Sequence, residues 1–440
     1  MKILVPLFAF TALQLHLFAA SLPWPQFRGP DGQGHSDAKN IPTEWSETKN
    51  IAWKMPVPGE GYSSPVIGAG QVWMTSSHDG GKALHAVCLD LKSGKLLHDV
   101  KVLTTKVAGP KHKLNGYASP TPVLDGERIY VHFGPRGTVC LDTTGKIVWK
   151  NTDFKYNVIQ GAASSPILYK DLLILTCDGI DHQFIAALDK RTGKMKWRQT
   201  RAHLEAAEKE PSPSRRRINK MAYSTPLVQN INGKPHMIVS GAFHSAAFDP
   251  DTGKELWWFP YTGFSIVGRP SYGNGLFYIV GSIRQDHFCI FAVKPGKGQL
   301  KDSQRVWQFS TGIGHVPSPL LLGKEIFAVH DGGVAGCIDA LTGKELWRER
   351  LGGNHDASPT EINGKLYFVN REGKTTILAA GREFKVLSKN ELDGVFKATP
   401  PLPTVRSSFA VPRTFIALSS NSRARAASLF SRLKMFSDEL

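Results

Sequence analysis

No two cysteines are adjacent in this chain, and none forms a CxxC pair. Cys88, Cys140, Cys177, Cys289 and Cys337 stand singly, each inside an apolar, strand-like run. Such placement reads as small buried hydrophobes, and the odd count leaves at least one thiol unpaired. It also excludes c-type haem attachment, which needs CxxCH. Other catalytic spacings are missing as well. The sequence has no HExxH and no G-x-S-x-G nucleophile elbow. "GKT" at Gly373 to Thr375 lacks the earlier glycine of a phosphate loop, and "GAG" at Gly68 to Gly70 opens no helix. No pattern therefore assigns a catalytic residue or a metal ligand.

Long apolar runs are confined to the start, "MKILVPLFAFTALQLHLFAAS". One lysine, an apolar stretch from Ile3 to Phe18 and small residues at Ala19 to Ser21 give the layout of a secretory signal peptide. The stretch is short for a spanning helix and is interrupted by Pro6, Gln14 and His16. The reading is residues 1–21 as a signal peptide, with export to the periplasm or cell envelope. Acidic residues are scarce, 37 against 54 Lys and Arg, for a formal net charge of +17. The lysines mostly occupy turns, without the aromatic-interleaved basic face of a nucleic-acid binder. A solvated basic surface, peripheral to anionic envelope material, fits better, with no nucleic-acid partner.

What the chain does have is a repeated phrase. "LDLKSGKLL" (Asp90, Gly94), "LDTTGKIVW" (Asp142, Gly145, Trp149), "LDKRTGKMKW" (Asp189, Gly193, Trp197), "FDPDTGKELW" (Asp249, Gly253, Trp257) and "IDALTGKELW" (Asp339, Gly343, Trp347) share one pattern. Worn copies lie near Gly296 with Trp307, and at Gly381. A second phrase, a small residue and proline opening a strand, precedes each: Ser64-Pro65, Ser119-Pro120, Ser165-Pro166, Thr225-Pro226, Arg269-Pro270, Ser318-Pro319, Ser358-Pro359 and Thr399-Pro400. Each unit reads as four short strands separated by Gly and Asp turns, as in "SPLLL", "IFAVH", "VAGCIDA" and "ELWRE". Four antiparallel strands every 40 to 60 residues predict an all-β, eight-bladed propeller. Asp can bond its own turn, Gly supplies a positive φ, and Trp fills the gap between blades, so the phrase is structural.

On these motifs the chain resembles the pyrroloquinoline-quinone-like (PQQ-like) propeller repeat family, related in shape to WD40/YVTN-like propellers. The resemblance runs from Trp53 to about Pro400, and the opening "WPQFRGPDGQG" is similar to the leader of exported members. The family implies either a non-enzymatic scaffold, as in the barrel-assembly lipoprotein of the outer membrane, or a PQQ-dependent dehydrogenase of alcohols or sugars. Its dehydrogenases pack PQQ on adjacent cysteines above calcium held by carboxylates; no motif here supports PQQ or calcium. The resemblance further implies that "NIAWKM" closes the ring as the outer strand of the last blade, whose remainder starts at "FKATP". Residues 22–400 are thus the propeller. Residues 401–440, rich in Ser and Arg with no Gly, read as an atypical tail replacing most of that blade and leaving it incomplete.

Strand parity locates a site. If each first strand runs down from the top face, the "DGG" turns and the links between blades share that face, and the "TGK" turns lie below. The links offer Tyr62, Asn115, Tyr117, Gln160, Arg269, His315, His355 and Asp356; the turns offer His78, Asp79, Asp178, His330, Asp331, Arg371 and Glu372. Tyr62, Arg269, His315, His330, Asp331, His355, Asp356 and Arg371 are the candidates for one binding pocket. An insertion, Arg201 to Lys220, with a short helix at "AHLEAAEKE", reads as a lid or partner contact. The expectation is a monomeric scaffold that binds a protein partner or small molecule on its top face.

Overall fold

The computed structural model describes residues 24–39, 41–284, 287–401, 408–411 and 414–418. The leader at 1–21 lies outside the described residues. The architecture is a ring of eight sheets, seven of them built around four antiparallel strands. The sixth blade follows the pattern strand for strand: Leu320–Leu322, Glu325–Val329, Val334–Asp339 and Glu345–Arg350. First strands of the others begin at Val66, Val123, Ile167, Leu227, Ser271 and Thr360.

The repeated phrase acts as a joint between blades. In the sixth blade Asp339 Oδ1 accepts the amides of Leu341 (3.1 Å) and Thr342 (2.9 Å), and Gly343 takes φ +74°. That glycine lies bare beneath the tryptophan of the preceding blade. A methyl group added at Gly343 would meet the Trp307 ring at 2.8 Å; at Gly193 it would meet Trp149 at 2.5 Å, and at Gly253 Trp197 at 2.6 Å. The indole N–H then donates into the same turn, Trp307 to Ala340 O at 2.9 Å and Trp149 to Lys190 O at 3.0 Å. Stacking and hydrogen bond thus both need Gly at that position. Trp257 is fully buried, whereas Trp149, Trp197 and Trp347 are half-buried. Trp257 departs from the joint because the next blade's turn is worn: its N–H meets His236 Nδ1 at 3.1 Å, and Gly298–Gln299 adds to its blade's edge.

The strand-opening Ser and Thr have their own reason. Ser64 N donates to Thr121 Oγ1, Thr121 N to Ser165 Oγ, and Ser165 N to Thr225 Oγ1, at 2.9–3.0 Å. Arg269 N continues to Ser318 Oγ, Ser318 N to Ser358 Oγ and Ser358 N to Thr399 Oγ1, all at 3.0 Å. Two runs of hydroxyls, Thr121 to Thr225 and Ser318 to Thr399, therefore follow the ring of blades and pair amides that first strands would otherwise leave unmet. In blade two the member is Thr121-Pro122, not Ser119-Pro120, two residues from the position expected from sequence. Arg269 has no hydroxyl; its guanidinium instead donates to Pro226 O and to Phe27 O (2.6 Å).

Phe27 belongs to an N-terminal arm that crosses the axis. Trp24 N bonds Ile67 O in blade one, and Leu124 N of blade two bonds Pro25 O. Arg28, fully buried, donates to the carbonyls of Gln33, Ser318, Pro319 and Pro359 at 2.6–3.5 Å. His35–Ser36 then pairs in parallel with blade seven. Burial pushes Arg28 down to about 10 and Arg269 down to about 9, yet both stay ionised at neutral pH.

Ile51–Pro56, which contains "NIAWKM" from Ile51, is the outer strand of the eighth sheet, as the resemblance implied. Its partners are Thr414–Leu418 and then Ser408–Val411. Two strands thus lie in the tail, where the sequence reading placed none. Ile416 and Leu418 are buried against Trp45, Tyr367 and Phe396. The eighth sheet has three strands among the described residues. Among those residues no helix is long and apolar enough to cross a membrane.

Candidate functional site

The contacts between turns and links put both loop sets on one face. Asp331, in the turn of blade six, accepts the amides of His315 (2.6 Å) and Val316 (3.1 Å) from the link before that blade. Arg371, in the turn of blade seven, grips Asp356 of the preceding link at 2.6 and 2.9 Å. Around the axis on this face lies a depression with two lobes that share Leu114, Asn115, Ala163, Tyr223, Val267 and Val316.

The axial lobe, about 140 Å³, is walled by the strand-opening Ser and Thr residues (Ser64, Thr121, Ser165, Thr225, Ser358, Thr399). Phe27 of the arm, Tyr62, Asp356 and Lys397 also line it. Lys397 Nζ sits 4.3 Å over the Tyr62 ring. Burial lowers the affinity of that ammonium for its proton, opposed by Asp356 and aided by Arg371. The lateral lobe, about 310 Å³, is lined by Phe264, Phe288, Val267 and Leu114, with His112, Asn115, Gln160, Tyr223, Ser265, Ser282 and His315 among its polar groups. His315 stacks on Phe288 at 4.5 Å, with Nε2 2.8 Å from Ser265 O. Tyr223 O–H donates to Gln160 at 2.5 Å, and burial raises its proton affinity, keeping it a neutral donor.

The eight candidates therefore divide. Tyr62, His315 and Asp356 line the depression, and Arg371 joins it through Asp356. Arg269 lies under the ring, bound to carbonyls. Asp331 is spent on link amides, and exposed His330 accepts the Gly332 amide at 3.0 Å. His355 is buried, which lowers its pKa, and its Nε2 lies 3.2 Å from Gly352 O. Of the wider link set Asn115 and Gln160 line the lateral lobe, while Tyr117 packs near Arg136 instead. The insertion forms helices Glu205–Glu208 and Pro213–Ile218 before delivering Tyr223 to the site. The apolar wall was missed. Its signal was the link "FSIVG" (Phe264 to Gly268), unusually apolar for a loop.

The donor set does not suit PQQ with calcium. Calcium takes six to eight oxygens, several from carboxylates. The lateral lobe's described lining holds no carboxylate, and the axial lobe's one, Asp356, is held by Arg371. All five cysteines are buried free thiols, and burial pushes Cys88, Cys140, Cys289 and Cys337 up to about 12. They lie in five different blades, so no vicinal disulfide can form.

Comparison with known proteins gives the lineage. Among solved structures, BamB from Moraxella catarrhalis superposes with TM-score 0.57 at 13% identity, over 84% of this chain and 99% of that one. Quinohemoprotein alcohol dehydrogenase from Comamonas testosteroni gives 0.67 at 12%, over 92% and 81%. A europium-containing methanol dehydrogenase gives 0.52 at 12%, over 90% and 89%. These identities establish shared fold alone. No curated protein sequence matches the chain. The family described as outer membrane protein assembly factor BamB matches residues 85–257 and 246–395, so the chain belongs to that PQQ-like propeller family.

Proposed function

We propose that the protein is an exported binding scaffold of the cell envelope, a monomer that receives an apolar group of a protein partner in the two-lobed depression of its top face. The observation that carries this reading is the lateral lobe: an apolar wall with a few convergent polar groups and no carboxylate among its described lining. The family's assembly-factor member points the same way, toward protein recognition. Export rests on the apolar leader of residues 1–21. A small molecule of similar shape would use the same wall. The PQQ-dependent dehydrogenase reading draws on fold likeness alone, and the donor set speaks against it.

The test uses 1-anilinonaphthalene-8-sulfonate as a fluorescent probe of the lateral lobe. Ala163→Trp, which fills the region shared by both lobes, should abolish probe binding while leaving the urea midpoint within error. Probe binding undiminished in that variant, or absent from the wild type, sinks the reading.

A further inference from the structure

The top end of blade one carries a cluster that the binding site does not use. His78 ends the second strand (Gln71–His78), His85 lies in the third (Ala83–Asp90) and Asp99 in the fourth (Leu96–Thr104). Strand pairing brings them together: Ser76 faces His85, and Val87 faces Asp99, so all three side chains share the blade face that looks toward the closing blade. The imidazoles of His78 and His85 stack at 4.0 Å, and His85 Nδ1 lies 2.7 Å from Asp99 Oδ1. One ring nitrogen from each histidine and one carboxylate oxygen lie within 4.8 Å of one another.

Protein partners account for the His85–Asp99 pair but not for His78. His78 Nε2 is buried, lies against Gly59 and has no hydrogen-bond partner. A buried polar atom left unmet is destabilising, and a bound ion would meet it. Two neutral imidazole nitrogens and one carboxylate are donors suited to a borderline divalent ion. Zinc takes three such protein ligands with a fourth position left to water. Asp99 is exposed, so that position has access to solvent.

We infer that His78, His85 and Asp99 form a zinc-class divalent metal site. It would fasten three strands of blade one where the ring closes. Next to it, the segment following the closing strand is held by Glu60 N to Ser77 O at 2.9 Å and Ser76 Oγ to Pro58 O at 2.5 Å. The site is structural in this placement, since it stands apart from both lobes of the depression.

The test is a competition titration of chelator-treated wild-type protein with Zn²⁺ against a chromophoric chelator, with Co²⁺ as a spectroscopic probe of ligand number. One equivalent of Zn²⁺ should bind, and Zn²⁺ should raise the melting temperature. Losing a group that only orients a ligand costs about 10–100-fold in metal affinity, so His78→Gln, His85→Gln and Asp99→Asn should each cost at least about tenfold. Circular dichroism checks that each variant folds; the Co²⁺ spectrum of the wild type needs no variant. Absence of saturable binding, or wild-type affinity in His78→Gln, overturns the proposal.

Discussion

Gly343→Ala tests the joint between blades. Gly343 has φ +74°, a region that costs an L-residue roughly 1–2 kcal/mol. Gly275 has the same φ of +74°, but nothing lies within 4 Å of an added methyl group there, whereas at Gly343 that methyl would press on Trp307 at 2.8–2.9 Å. The difference between the two alanine variants therefore isolates the contact. Displacing Trp307 breaks its bond to Ala340 O, worth about 1 kcal/mol, and loosens a ring whose full truncation costs about 3–5 kcal/mol. Gly343→Ala should thus exceed Gly275→Ala by about 1–4 kcal/mol in urea unfolding with matched m values. On a Trp307→Ala background the excess should vanish. Equal costs for the two glycines, or an excess that survives removal of Trp307, would refute the stacking account.

Other perturbations probe the arm, the ring and the buried histidines. Arg28→Ala removes the guanidinium that four carbonyls share, and should lower stability by at least about 1–3 kcal/mol and open residues 24–39 to limited proteolysis. An intact arm at wild-type stability would remove it from its role as axial plug. Ser318→Ala leaves the Arg269 amide without its acceptor and should cost about 1–3 kcal/mol, read from the urea midpoint. Burial depresses His132 from 6.5 to about 4, with Nδ1 2.9 Å from Thr138 Oγ1. The unfolded chain then binds the extra proton as pH falls from 6.5 toward 4, so His132 contributes stability at neutral pH that is lost across that window, about 3 kcal/mol in all. His132→Asn should flatten the stability–pH curve by that amount; an unchanged curve contradicts it.

The fold was legible because its signals are local and repeat. Asp, Gly and Trp at fixed spacing specify turn, positive φ and docking ring within ten residues, and periodicity does the rest. Blade two slipped because "SPTP" offers two Ser/Thr-Pro pairs, and only the run of hydroxyl contacts between blades, which joins distant segments, selects Thr121. The tail strands 408–411 and 414–418 were missed because they carry none of the turn phrase; pairing with Ile51–Pro56, more than 350 residues earlier, brings them into the sheet. Polar site residues were half legible. Parity gives the face of a loop, but not whether its side chain turns into the depression, as for Tyr62, or down into the channel, as for Arg269. The plug role of "WPQFRGPDGQG" was invisible, since it depends on carbonyls contributed by several blades.

The central claim is that the top face binds without quinone chemistry. The direct measurement is calorimetric titration of the purified protein with PQQ in the presence of Ca²⁺, followed by dye reduction with alcohols and sugars. The account predicts no saturable heat and no dye reduction, because the depression offers one carboxylate, Asp356, already gripped by Arg371. Tight PQQ binding, with dye reduction that vanishes in Asp356→Ala, would contradict it.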